Sequence, residues 1–204
     1  MSEMQPEAEE IPESGRILQP IIWNVITIWF QQANRIEAWA DAAALLPSFD
    51  KEWASLAATL QLINAYIWQL AEQGQDRGAD HAYLAKIYRD REEAVRMREQ
   101  TIAEWDVLIH SRLQATSQLQ QNAVLHCESP GFLLDRITRL ALQVHHCKQE
   151  LTNLRQQPGA DKDLATPYER LRALADQLVD LTGCLDRLLA DLKSGHCTFK
   201  LYPC

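Results

Sequence analysis

Hydrophobic residues recur along most of this chain at alternating spacings of three and four, with polar residues between them. Such spacing places apolar side chains on one face of an α-helix. Strand patterns, in which every second residue is apolar, are nearly absent. The pattern predicts five helices, at about residues 20–46, 50–74, 82–120, 130–157 and 166–194.

Capping residues mark the beginnings of several predicted helices. Asp50, Asp80 and Ser129 each precede an apolar-periodic segment, where their side chains can accept hydrogen bonds from free backbone amides. Thr166 and Glu169 have the spacing of a capping box, which predicts that the last helix begins at Thr166. Proline or glycine follows most of the segments, at Pro47, Gly74, Pro158 and Gly195.

Short connections between consecutive helices favour antiparallel packing at shallow angles. The expected fold is therefore all-α, an antiparallel up-and-down bundle of about five helices with an extended C-terminal tail. Residues 1–16 are acidic and almost without large apolar groups, so we expect a disordered tail there. Residues 17–204 then form a single helical-bundle domain.

The net charge and the cysteine content narrow the range of partners and cellular compartments that we expect for this chain. A formal net charge of -8 argues against binding a nucleic-acid backbone, which requires clustered Lys and Arg. The apolar stretch 17–30 is too short to cross a bilayer, and we expect no transmembrane segment. Five cysteines without a C-x-x-C pair indicate free thiols in a reduced, cytoplasmic chain. No cofactor is expected from these features.

The helix predicted over 130–157 has polar groups on a face that also carries apolar residues. In helical projection, Asp135, Arg139 and His146 lie opposite the main apolar face. Asp135 and His146 are eleven residues apart, roughly 16 Å along the axis, so they cannot touch each other. Each needs a partner from another helix, and Arg91 or Arg98 is the expected one.

Blocks of this sequence resemble a bacterial all-helical family known as domain of unknown function forty-two fifty-four. The fullest match is the segment 128–146, which resembles the family signature S-E-T-P-G-S-x-x-D-R-L-S-I-L-x-L-K-x-Y-H. Weaker blocks lie at 64–68, at Arg98 with Asp106, and at 199–202. The resemblance implies a shared polar set: Asn64, Arg98, Asp106, Glu128, Asp135, Arg136 and His146.

The chain also departs from the family pattern. Where the family usually reads W-H-x-E-D-x-A-R, the residues after Trp68 lack the His, the first acid and the Arg. Glu99 and Gln100 replace an Asn-Asp pair. These losses lower the expectation of catalysis. Relatives tend to be encoded among genes for cell-envelope polysaccharides, which by association implies an accessory role in glycan assembly.

No nucleophile motif, phosphate loop or complete catalytic set occurs in the chain. The leading hypothesis is a non-catalytic accessory protein that binds a protein partner, with a homo-oligomer left open. The alternative is a small helical enzyme or metabolite-binding protein with a polar pocket around Asp135, Arg98 and His146. A purely structural ion-pair network is the competing interpretation of the same residues.

A metal site is a second alternative. Three of the six histidines precede a cysteine, and mixed imidazole and thiolate ligands suit zinc or copper. If the last two helices are antiparallel, residues near 197 lie beside those near 127. His126, Cys127, His196 and Cys197 would then converge at one end of the bundle.

All six tryptophans lie between Trp23 and Trp105. They are predicted to fill the core, because Trp29, Trp39, Trp53 and Trp105 fall on apolar faces. An aromatic sugar-binding groove is the alternative.

Overall fold

A computed structural model describes residues 15–32, 51–76, 78–115, 123–156 and 164–201 of the chain. A single turn of 3-10 helix at Gly15–Ile17 precedes the first α-helix. Within the described ranges there are five α-helices and two short strands. In chain order they are α1 (Leu18–Gln32), α2 (Glu52–Gln73), α3 (His81–Ala115), β1 (Val124–Leu125), α4 (Pro130–Arg155), α5 (Ala165–Lys193) and β2 (Cys197–Thr198). The predicted all-α helical bundle is confirmed.

Several predicted features lie outside the described residues. These are the acidic tail as far as residue 14, the second half of the first predicted helix, the cap at Asp50, Trp39 and the last residues of the third helix. Gly15 and Arg16, predicted to belong to the tail, are part of the 3-10 helix. Gly15 is buried against Asp186 of α5, so the packed chain begins at least that early.

The predicted capping box at the start of the last helix is wrong. Helix α5 begins one residue earlier, at Ala165, and its N-cap Leu164 makes no side-chain hydrogen bond. The amide of Tyr168 donates to the Leu164 carbonyl at 3.1 Å and closes the first turn. Thr166 therefore lies in the first helical turn and not at the N-cap, and the Tyr168 amide two residues after it is already bonded to Leu164.

Helix α4 is at the centre of the bundle, since it packs against α1, α2, α3 and α5. The side chains that join these helices are almost fully buried, among them Trp29, Ile63, Trp105, Leu134 and Leu185. Complete burial of one such side chain contributes about 1.5–3 kcal/mol. Trp29, Trp53 and Trp105 are at most 5% exposed, so the prediction that they fill the core is confirmed.

The C-terminal segment returns to the middle of the chain after α5. Gly195 has a φ of 72°, a left-handed conformation that glycine adopts without strain and that lets the chain reverse. Strand β2 then pairs in parallel with β1, and the amide of His126 donates to the Thr198 carbonyl at 2.7 Å. Phe199 follows and is 3% exposed. The tail is thereby fixed beside α3 and α4.

No helix in the described part of the chain combines the length and the apolar character needed to span a bilayer.

Candidate functional site

Asp106 of α3 holds the beginning of α4. One carboxylate oxygen accepts a hydrogen bond from the Ser129 hydroxyl at 2.5 Å, and the other accepts from the Gly131 amide at 2.7 Å. Ser129 also accepts from the Phe132 amide at 3.4 Å, which confirms it as the N-cap. The free amides and the positive end of the helix dipole favour an acid at this position. We call these three residues, Asp106, Ser129 and Gly131, the Asp106 cap.

Gly131 lies where α3 and α4 approach each other closely. A Cβ atom at this position would lie 2.7 Å from the carbonyl oxygen of Ile102 and 2.9 Å from Oδ1 of Asp106. Real Cβ atoms do not approach a backbone oxygen so closely, and a helix backbone cannot move aside alone. The glycine after Pro130 is therefore required by contact between helices.

Burial raises the pKa of Asp106 to about 6. The hydrogen bonds from Ser129 and Gly131 act in the opposite direction because they stabilise the carboxylate. Desolvation is the larger effect, since the residue is only 6% exposed and no cation is among the causes of the shift. Asp106 thus changes charge close to physiological pH.

The raised pKa predicts a specific pH dependence of stability. A carboxyl whose pKa is higher in the folded than in the unfolded state stabilises the fold most when protonated, and this contribution is lost as pH rises through about 6. Relative to Asp106→Asn, the wild-type free energy of unfolding should therefore fall between about pH 4 and pH 7, by at most about 3 kcal/mol.

Urea unfolding of both proteins across this pH range measures the difference. Asp176→Asn is the matched control, because the Asp176 side chain is 73% exposed. A difference between wild type and Asp106→Asn that stays constant with pH would contradict the prediction.

Asp135 is at the centre of a second polar group, which we call the Asp135 network. The Asn64 amide donates to Asp135 Oδ1 at 3.0 Å and to the Thr138 hydroxyl at 2.9 Å. Arg139 Nε lies 2.9 Å from Asp135 Oδ2, and Arg98 Nε lies 3.9 Å from Oδ1. A carboxylate that is 3% exposed is therefore matched by two guanidinium groups and an amide. The network joins α2, α3 and α4.

Arg98, and not Arg91, is the partner that α3 supplies to Asp135. Arg91 is exposed, whereas the Arg98 side chain is 22% exposed. The distance from Arg98 Nε to the carboxylate is too long for a hydrogen bond, and this buried nitrogen has no hydrogen-bond partner within the described residues. Arg98 therefore keeps donor capacity that the network does not use.

The Asp106 cap and the Asp135 network line one cavity of about 520 Å³. This lies within the range of roughly 300–1,000 Å³ that is usual for small-molecule sites. Helices α3 and α4 form two walls, and the segments around β1 and β2 close the third. The lining residues from the family-like blocks are Arg98, Asp106, Ser129, Phe132, Asp135, Arg139, Phe199, Lys200 and Leu201.

Three bases and three acids line the cavity, but most of the exposed ones are basic. Asp135 and Asp106 are buried and already accept hydrogen bonds. The Arg139 side chain is 49% exposed and Lys200 is also exposed, while Arg98 is partly so. Glu99 is the exposed acid of the lining. Three bases and one acid are accessible to a ligand, so an anionic group is favoured there.

His146 does not belong to the predicted pocket with Asp135 and Arg98, and this part of the hypothesis is wrong. It is absent from the cavity lining. Its ring stacks on Trp68 at a centroid distance of 4.2 Å and meets Phe30 edge-on at 4.9 Å. Burial lowers the pKa of His146, which favours the neutral imidazole. Packing between α1, α2 and α4 decides the position of this side chain.

Glu128 and Arg136 pair with each other near the start of α4. One guanidinium nitrogen of Arg136 lies 3.0 Å from both carboxylate oxygens of Glu128. Neither residue lines the cavity. The polar set implied by the family resemblance is thus divided into the Asp106 cap, the Asp135 network, this surface pair and the separate His146.

The two His-Cys dipeptides proposed as metal ligands have neighbouring backbones, because β1 pairs with β2. Their side chains have other partners: His126 Nδ1 lies 2.6 Å from the Glu128 carbonyl oxygen, and His196 Nδ1 lies 2.9 Å from the Ser194 hydroxyl. Burial raises the pKa of Cys197, which disfavours the thiolate. In the ranges that the structure describes, no three His, Cys, Asp or Glu residues are placed to hold an ion. Zinc or copper binding stays a prediction.

Three contributors to the site were not predicted. Thr138 accepts from Asn64, Gly131 allows the helices to approach, and the segment 199–201 closes the cavity. Of the three, only Gly131 could have been noticed in the sequence. Glycine is a poor helix former, so its position directly after the proline that begins a predicted helix calls for an explanation.

Comparison with known proteins gives a family and no characterised relative. A search of curated proteins and a search of solved structures each found no match to this chain. The model of one protein family matches residues 54–201, a range that includes the Asp106 cap, the Asp135 network and the cavity. The chain therefore belongs to the family described as Protein of unknown function (DUF4254).

Proposed function

We propose that this protein binds a small molecule through an anionic group in the cavity between α3, α4 and the C-terminal segment. The observation that supports this most directly is the arrangement of charge. Asp106 and Asp135 in the wall are buried and hydrogen-bonded, while the Arg139 and Lys200 side chains are exposed and line the cavity together with Arg98. Guanidinium groups match carboxylate and phosphate geometry well.

Ethyl phosphate is a suitable probe for this proposal. We expect saturable binding to the wild-type protein in a calorimetric titration, with affinity reduced at least fivefold in Arg139→Gln/Lys200→Gln. The matched control is Arg170→Gln/Arg172→Gln, which removes the same charge from exposed positions on α5. Equal affinity in the two double variants would overturn the proposal, because general charge attraction would then explain the binding.

A protein-binding role is the second candidate, and a different surface supports it. Among residues 81–93, at the beginning of α3, only Ile87 is buried. Tyr83 and Tyr88 are 46% and 55% exposed on this stretch. Tyrosine is enriched at protein interfaces because its ring gives contact area at low entropic cost. A protein partner or a second copy of this chain would fit such a surface.

Affinity purification from the native host with wild type and Tyr83→Ser/Tyr88→Ser tests this candidate. A specific protein recovered by wild type and lost in the variant would support it, provided that Val179→Ser on α5 still recovers the protein. Recovery that is identical in all three would exclude the tyrosine surface.

The biological setting that we propose is cell-envelope glycan assembly, on the cytoplasmic side. The family resemblance is the support for the glycan link. Four cysteines in the described residues are free thiols, namely Cys127, Cys147, Cys184 and Cys197, and free thiols are typical of a reducing compartment.

A further inference from the structure

Large apolar side chains that are partly exposed line the cavity. Val107, Leu125, Phe132 and Leu201 all line it, and each is between 40% and 54% exposed. Isolated exposed apolar residues are ordinary on protein surfaces and need no explanation. Here, however, they come from α3, β1, α4 and the C-terminal segment, four parts of the chain that meet only in the folded protein. Such convergence is typical of a binding surface.

On each of the two helices that line the cavity, an apolar residue and a cationic residue are separated along the helix axis. Helix α4 places Phe132 next to the Asp106 cap and Arg139 seven residues further on, roughly 10 Å along the axis. Helix α3 places Val107 next to the same cap and Arg98 nine residues earlier. Because Arg98 faces Asp135 while Asp106 faces Gly131, the two helices are antiparallel and their polarities agree. Along these two helices the apolar groups therefore lie near the Asp106 cap and the guanidinium groups lie near Asp135, while Lys200 of the C-terminal segment adjoins Leu201.

We infer that the ligand of the cavity is an anionic amphiphile, with its charged head between Arg98 and Arg139 and its apolar chain against Val107, Leu125 and Phe132. This inference rests on the proposed anion-binding function and names the class of ligand. A free anion alone leaves the apolar groups unused. A cavity volume of about 520 Å³ is of the size that holds a single molecule.

The head and the chain of the ligand can be tested separately with dodecyl phosphate and ethyl phosphate, which share a head and differ in chain length. Dodecyl phosphate, kept below its micelle-forming concentration, should bind wild type at least tenfold more tightly than ethyl phosphate in calorimetric titrations. Leu125→Ser/Phe132→Ser should lose at least fivefold in affinity for dodecyl phosphate and none for ethyl phosphate. Tyr168→Ser/Val179→Ser removes comparably exposed apolar groups from α5 and should bind as wild type does.

Equal affinity of wild type for the two phosphates would overturn the inference while leaving the anion site intact. Dodecanol binding as tightly as dodecyl phosphate would also overturn it, since the head would then contribute nothing. So would binding to phosphatidylglycerol vesicles without binding to monomeric dodecyl phosphate, because the apolar groups would then serve a membrane surface. If Arg139→Gln/Lys200→Gln leaves both phosphates unaffected, the proposed anion-binding function itself fails.

Discussion

Replacing Gly131 with alanine is expected to lower the free energy of unfolding by about 3 kcal/mol, at the upper end of what overpacking costs. The added methyl would lie 2.7 Å from the Ile102 carbonyl oxygen and 2.9 Å from Oδ1 of Asp106. Helix α4 must then move away from α3, which also weakens the bond from the Gly131 amide to Asp106. Urea unfolding followed by circular dichroism measures the change.

Gly183→Ala is the matched control for this substitution. Gly183 lies inside α5, and a Cβ atom there would approach no atom more closely than 3.7 Å, at the end of the flexible Arg187 side chain. Alanine is the better helix former by about 1 kcal/mol, so this variant should be equally or slightly more stable than wild type. If both alanine variants are stabilised, the close contact at Gly131 does not exist.

Replacing Asp135 with alanine should have the second large effect, a loss of about 2–3 kcal/mol. Removing one partner of a buried ion pair costs about 3–5 kcal/mol, and the partial exposure of Arg98 and Arg139 reduces this. The substitution leaves Arg98 half-buried without a carboxylate and removes an acceptor from the Asn64 amide. Chemical denaturation at low and high salt measures both the loss and its dependence on charge.

Asp176→Ala serves as the comparison, because Asp176 pairs with Arg172 at 4.0 Å on the surface of α5 and both side chains are largely exposed. Exposed pairs of this kind contribute about 0–1 kcal/mol. The interpretation of Asp135 as a buried organising charge would be wrong if the two alanine variants lost similar amounts of stability.

Local signals in the sequence were sufficient for the helices and for two of their caps. Ser129 is the N-cap of α4, and the side chain of Asp80 accepts from the Ala82 amide at 3.2 Å, both as predicted. The capping box predicted at Thr166 does not form, because α5 begins at Ala165 with Leu164 as its N-cap. Capping depends on neighbours within four residues, so it is predictable where one candidate dominates.

Pairing between helices was predictable only in part. Polar residues on a mixed face of α4 indicated that Asp135 needs a cation from α3, and Arg98 supplies it. The same reasoning gave His146 a polar role, but its ring lies between Phe30 and Trp68. Helical projection gives the direction in which a side chain points, and it does not reveal what the neighbouring helix presents there.

The sequence by itself determined the all-α fold, the main helices, the cap at Ser129 and the family, because each depends on neighbouring residues or on a contiguous motif. Only the tertiary structure decided that Asp106 binds the start of α4, that Asp135 is held by Asn64 and Arg139, and that a returning C-terminal segment closes a cavity over them. These contacts join residues up to about a hundred positions apart. Their geometry is set by how whole helices pack and by the close approach that Gly131 permits, which no local pattern records.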